Sequence, residues 1–354
     1  MPIVMLLLLA AAPVAAPPQA GDNVFRVASP KDDGIIATGI NARGDVVGFE
    51  WAEDPKTPGI VAQVPFFASA GRQVTLPLLP GYTSTFPAAV SESGLVVGRV
   101  SKPASFNTVI HLRNQAFAWD EAKGMRGLGA LPGDSASIAC GISRDGRRVS
   151  GFSIGDRRVR ACLWEPKGDE WAVIPLLHNE QLGAQVVAIS DDGNRVTSVD
   201  GAIPCLWTRD AKGAWTYQAI GGVGEFLPRA VNNAGTVVGF HDNGDGTADA
   251  VISPRNGRNK TLPKPPGYPR AEAYALNNSG AIVGMIDGPR GSDVGPNAFV
   301  YIGGRLRILV ECGPDFVTAT AINDQNQVAG VLDKEEVPEP PAEPDKPAAP
   351  APKP

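Results

Sequence analysis

Few residues in this chain are of a type and spacing that could do chemistry. Its histidines are His111, His178 and His241, with no two at a metal-ligand spacing, so turn or surface positions account for them. No nucleophile elbow, phosphate-binding loop, dinucleotide fingerprint or zinc-protease helix motif occurs. Acids recur as Glu92, Asp191, Asp192 and Asp324, each at what reads as a hairpin tip, where a solvated turn explains them. An acid pair assembled from separate repeats is the alternative, since distance is invisible in a sequence.

One segment is locally sharper. "HDNGDGTADA" (241–250) resembles an oxygen-rich calcium loop, with Asn243, Asp245, Gly246 and Asp249 at its third, fifth, sixth and ninth positions. His241 stands at the first position and Ile252 at the twelfth, so two expected ligands are missing. Two readings stay open: Ca2+ held by Asn243, Asp245 and Asp249, or a Gly/Asp-rich hairpin tip that needs no ion. No other cofactor is expected. The cysteines are Cys140, Cys162, Cys205 and Cys312, an even count that permits disulfides but fits no known framework. Cys162 and Cys205 share a repeat position with Phe117 and Phe299, which favours small buried hydrophobes. If one bridge forms, Cys140–Cys162 is the expected pair. Trp119, Trp164 and Trp207 recur two residues after that position, on one strand face, and read as core.

The elements that must carry these residues are repeated. Anchors Asn41, Ser91, Ser143, Ser190, Asn232, Asn277 and Asn323 follow one another at intervals of 42–52 residues. A short polar side chain there can bond the backbone ahead and start a turn. Three residues later stand Gly44, Gly94, Gly146, Gly193, Gly235, Gly280 and Asn326, the two residue types that tolerate a left-handed backbone. Before each anchor lies an aliphatic residue, preceded by Gly or Ala; after the turn come an apolar column (Val47 to Ala329) and a small one: Gly48, Gly98, Ser150, Thr197, Gly239, Gly284 and Gly330. A strand with one bulky face and one nearly bare face suits close stacking between neighbouring sheets. A second, aromatic-containing strand pair such as "QAFAWDEAKGMRGLGALPG" (115–133) separates the hairpins. About four strands per repeat of this length predict an all-β fold, a seven-bladed β-propeller of about four antiparallel strands per blade, over 21–333. Six or eight blades follow if the end segments pair unexpectedly, and a β-solenoid is the structural rival. "NVFRVAS" (23–29) corresponds to the last strand of a repeat, and the last repeat ends just after its hairpin, so the closure of the ring is left open.

Residues 1–20 read as a signal peptide: the apolar stretch 3–16 is too short to span a bilayer and small residues follow it, though no Lys or Arg precedes it. Residues 334–354, rich in Pro and Ala, read as a disordered tail. With 32 basic against 37 acidic residues the chain carries no footprint for nucleic acid, and no later stretch is long and apolar enough to span a membrane.

On the hairpin pattern and on "AFAW" (116–119) and "AFVY" (298–301), the chain resembles a bacterial family of extracellular repeats named for a His-Ala-Phe tripeptide, the HAF repeat. The resemblance covers about 23–333; the His of the tripeptide is replaced by Gln115, Arg160, Ile203 and Asn297. It implies a secreted, propeller-like protein and says little about activity. The expected function is a monomeric, exported, non-catalytic binding or scaffolding module in the periplasm, cell envelope or exterior, with an extracellular protein or glycan as partner. The alternative is a hydrolase or lyase acting on glycan or peptide at one mouth of the propeller.

Overall fold

Seven β-hairpins, one per anchor, succeed one another along the chain, and the computed structural model describes them through residues 26–27, 35–53, 61–102, 114–156, 158–176, 183–292, 294–309 and 316–332. The expected signal peptide, the tail, His111, His178 and Cys312 lie outside these residues. Among the described residues there is no helix. The third repeat shows the common plan: Ala136–Ile142, Val149–Ile154, Val159–Lys167 and Glu170–Pro175 form one antiparallel four-stranded sheet in chain order. Repeats two (from Ser84–Val90) and four (from Ala184–Ile189) form equal sheets; repeats five and six follow the same order and are joined by a single parallel bridge, Ala248 to Arg270.

The turn geometry agrees with the residue pattern. All six glycines three places after an anchor have positive φ, from 68° at Gly193 to 86° at Gly280, and Asn326 has 58°. The anchor side chain satisfies the turn it starts: Asn41 Oδ1 accepts from the amides of Arg43 and Asp45, and Ser143 Oγ from the amide of Arg148.

In one respect the expected columns shift. Asn41 N bonds Asp45 O, four residues on, but Ser143 and Ser190 bond Arg148 O and Arg195 O, five residues on. The two Ser-Arg/Asp-Asp turns hold one residue more, and within them Asp145 and Asp192 accept from the anchor hydroxyls. The true small column is therefore Gly48, Gly98, Gly151, Ser198, Gly239, Gly284 and Gly330, not one containing Ser150 and Thr197. Its physical cause is a bulge in the partner strand, whose carbonyl turns toward this position. A Cβ on Gly284 would lie 1.9 Å from the Glu272 carbonyl oxygen, and on Gly98 2.1 Å from that of Phe86. Ser198 alone carries a side chain there, and its hydroxyl accepts from Trp207 Nε1 at 3.0 Å.

Sheet packs on sheet through the faces thus bared. Trp119, Trp164 and Trp207 are all core, with Trp164 fully buried beside Val97, Leu128 and Leu131. The first strands of successive hairpins touch one another in sequence, and the first strand of the last hairpin touches that of the first. Thr38 Oγ1 donates to Pro87 O of the next repeat, and Thr320 Oγ1 to Ala37 O across the junction of last and first. The hairpins thus close a ring.

The first and last described strands share in the closure. Arg26–Val27 pairs in parallel with Gln327–Leu332, the second strand of the last hairpin, through Arg26 with Gln327 and Val27 with Val328. In an antiparallel sheet of four, the fourth strand runs parallel to the second. The N-terminal run reads as a fourth strand, and among the described residues no third strand stands between it and the second strand of the last hairpin, so the two meet directly.

Candidate functional site

The residue after each anchor faces the ring's interior at the turn-bearing mouth: Ala42, Glu92, Arg144, Asp191, Asn233, Asn278 and Asp324. Backbone bonds run between neighbours, Glu92 N to Arg144 O at 3.0 Å and Arg144 N to Asp191 O at 2.8 Å. In three other places the amide takes a side-chain acceptor of the next residue: Ala42 N donates to Glu92 Oε1, Asn233 N to Asn278 Oδ1 and Asn278 N to Asp324 Oδ1. Behind them the anchor amides do the same, with Asn41 Nδ2 donating to Ser91 O and Asn323 Nδ2 to Asn41 O.

Bonds also cross the mouth. Arg144 Nη2 donates to Asp191 Oδ2 at 2.7 Å and to Asp324 Oδ2 at 2.5 Å, 180 residues away. Asn278 Nδ2 bonds the same two oxygens at 2.8 and 3.1 Å, and Glu92 lies 3.8 Å from Arg144 Nε. Three acids from repeats two, four and seven thus converge on one guanidinium. Burial pushes the Asp191 carboxyl above its ordinary range; Arg144 opposes this and the charge of Asp324 adds to it. Burial also acts on Asp324, but the side chain and amide of Asn278 and the Arg144 guanidinium outweigh it and hold that carboxyl below its ordinary range. The arrangement is an acid pair already occupied by protein donors.

On the same face, between repeats one to three, lies a cleft of about 780 Å³. Its rim carries Arg43, Arg72, Lys123, Glu121 and Asp169, and Trp171 stands in its wall. Arg72 pairs with Glu121, and Lys123 reaches Asp169 at 3.7 Å, all four side chains being well exposed. Exposed pairs of this kind contribute about 0–1 kcal/mol, so a partner can exchange them at little cost.

Glu92, Asp191 and Asp324 are therefore not the freely solvated turn acids that each tip suggests alone; only Asp192 serves its own turn, accepting from Ser190 and Asn194 N. Arg144 and Asn278 went unnoticed in the sequence. Their signal was the column after the anchor, which holds one cation among acids and amides.

Asn243, Asp245 and Asp249 fall on one hairpin, between Val237–Asp242 and Ala248–Ser253. Asp245 Oδ1 accepts from the amide and hydroxyl of Thr247, Asp249 pairs with Lys264 Nζ at 2.6 Å, and Asn243 Nδ2 donates to Thr247 Oγ1 and Asp249. Each carboxylate is turned toward a protein donor, and the described residues hold no group of three His, Cys, Asp or Glu placed to bind a metal. His241 sits opposite Asp249 in the ladder. Cys140, Cys162 and Cys205 are free thiols, so the expected Cys140–Cys162 bridge is not formed. The strand Val149–Ile154 lies between them; two strand spacings of about 4.8 Å exceed the roughly 7 Å that a disulfide can span between Cα atoms. Cys162 and Cys205 are fully buried, as their column predicts.

No family model and no curated protein matches the chain. Solved structures do. Prolyl oligopeptidase B from Galerina marginata is similar at 12% identity and a TM-score of 0.54, over 83% of this chain and 46% of that one. An acylaminoacyl peptidase from Pyrococcus horikoshii matches at 9% and 0.50, over 82% and 48%. The β-propeller domain of a trilobed protease from Pyrococcus furiosus matches at 12% and 0.47, over 73% and 80%. The chain spans less than half the length of the two peptidases, and at these identities the likeness is one of fold: an all-β, propeller-like chain of four-stranded antiparallel sheets.

Proposed function

We propose that residues 21–333 form a seven-bladed β-propeller of the HAF-repeat kind, exported to the periplasm, cell envelope or exterior, and that it acts as a monomeric, non-catalytic binding or scaffolding module. The observation that carries this reading is the state of the acids at the turn-bearing mouth. Asp191 and Asp324, the pair best placed to act on a substrate, are held by Arg144 and Asn278. Binding then falls to the neighbouring cleft, whose exposed ion pairs can be exchanged for those of an extracellular protein or glycan.

The second reading is an extracellular hydrolase or lyase on glycan or peptide, favoured by the opposite displacement of the Asp191 and Asp324 titrations, the mark of an acid and a base. One experiment separates the two. Pull-downs and a glycan array with the mature domain are run beside a broad hydrolase panel, using wild type, Arg72→Glu and Asp324→Asn. The binding reading predicts capture that Arg72→Glu weakens about tenfold and Asp324→Asn leaves intact, with no turnover. Turnover abolished by Asp324→Asn would replace it with the enzyme.

A further inference from the structure

Below the plugged mouth, the interior of the ring has its own chemistry. On the second strand of every hairpin but the fifth, where Phe240 is buried, the residue after the small column is half-exposed and its predecessors are buried, as at Phe49, Arg99, Phe152 and Met285. On the first strand the bulge residue is likewise uncovered, as at Thr38, Cys140, Arg229 and Tyr274. Because the first strands touch one another right around the ring, these residues are exposed to its interior.

Most of that wall is apolar or aromatic, and its charges are unevenly matched. Glu272 is buried and satisfied by Arg270 Nε and the Tyr274 hydroxyl, both at 2.6 Å. Arg99 and Arg229 have no hydrogen bond or carboxylate partner among the described residues. Arg99 lies over the Phe86 ring at 4.4 Å, and Arg229 over those of Phe240 and Tyr274 at 5.1 and 5.8 Å. A guanidinium stacked by its face keeps its N–H edges free, in the fork that grips a carboxylate, sulfonate or phosphate. Repeats two and five place the two on different sides of the interior. The far end, where the strands begin, carries Leu227 and Val223, 47% and 78% exposed.

We propose that the ring interior is a binding site for an amphipathic anion: its head is taken by Arg99 or Arg229, its aliphatic or aromatic body lies on the apolar wall, and it enters at the Leu227 end. Arg99 is half-buried without an anion, a cost that aromatic stacking offsets only in part, while Arg229 stands exposed with its N–H edges free. The site is independent of the cleft used in the partner reading.

Calorimetric titration of the full chain with octanoate tests the proposal, with 1-octanol and inorganic sulfate as the tail-only and head-only probes. One octanoate should bind per chain, at least tenfold tighter than either control and more tightly at low salt. Arg99→Gln and Arg229→Gln should each be examined, with Arg99→Lys and Arg229→Lys as folded, charge-keeping controls. At least one Gln variant should lose about tenfold, its Lys counterpart less, while Asp324→Asn and Arg72→Glu bind as wild type. Equal binding of octanoate and octanol, wild-type affinity in both Gln variants, or no octanoate heat from folded protein would each overturn it. Failure of the pull-downs would leave this result standing, and the reverse holds too.

Discussion

Gly284 and Gly280 are four residues apart and do different work. At Gly280, φ is +86° with nothing within 4 Å of an added Cβ, so Gly280→Ala should cost only the strain of a left-handed residue, about 1 kcal/mol. At Gly284 the added carbon meets a carbonyl oxygen at 1.9 Å and the Phe299 ring at 2.8 Å. Gly284→Ala should therefore cost about 3 kcal/mol or more, read from urea midpoints of the two variants. Asn326 takes up the left-handed backbone that its alignment with six glycines implies. What the alignment hid was the extra residue after Ser143 and Ser190, because Ser150 and Thr197 are themselves small and masked the shift. The loop at Asn243 shows the converse: its residue types permit an ion, and only the positions of Thr247 and Lys264 show where the carboxylates turn.

At the scale of the elements, the turns act together. Arg144→Ala leaves Glu92, Asp191 and Asp324 facing one another, and loss of charge-assisted bonds at this half-exposed site should cost about 1–2 kcal/mol. The two aspartates should separate by pH. Asp324 has a lowered carboxyl pKa in the fold, so it contributes stability above its unfolded value, lost as pH falls through the folded one. Asp191 is raised, so its ionisation removes stability as pH rises through its folded value. Asp324→Asn should thus be less stable than wild type at pH 7 and converge on it below about pH 4, while Asp191→Asn should improve relative to wild type as pH rises from there. Thermal melts across that range check both. This network was illegible in the sequence because its hydrogen bonds join residues as far as 180 apart, each in a turn that explains it alone. The hairpins themselves were legible because their determinants are local: an anchor, a left-handed residue and alternating strands.

At the scale of the molecule, the repeat number and the mouth of the ring depend on closure, which no single repeat encodes. The N-terminal run and the last hairpin show no partner for one another in sequence, and the structure pairs them. Closure also makes the interior a bounded space, shut at one end by Arg144 and its acids. Without it the Asn323 bond to Asn41 and the Thr320 bond to Ala37 do not exist, and neither the plugged mouth nor the interior site survives. Native-state hydrogen exchange measures this directly. In a closed ring, the paired amides of Ile35–Ile40 and Gln327–Leu332 should be protected to the same free energy as those of Arg195–Asp200 in the middle of the chain. Exchange that begins at the first and last hairpins, kilocalories below the middle of the chain, would contradict the closed ring and leave an open, fraying array of repeats.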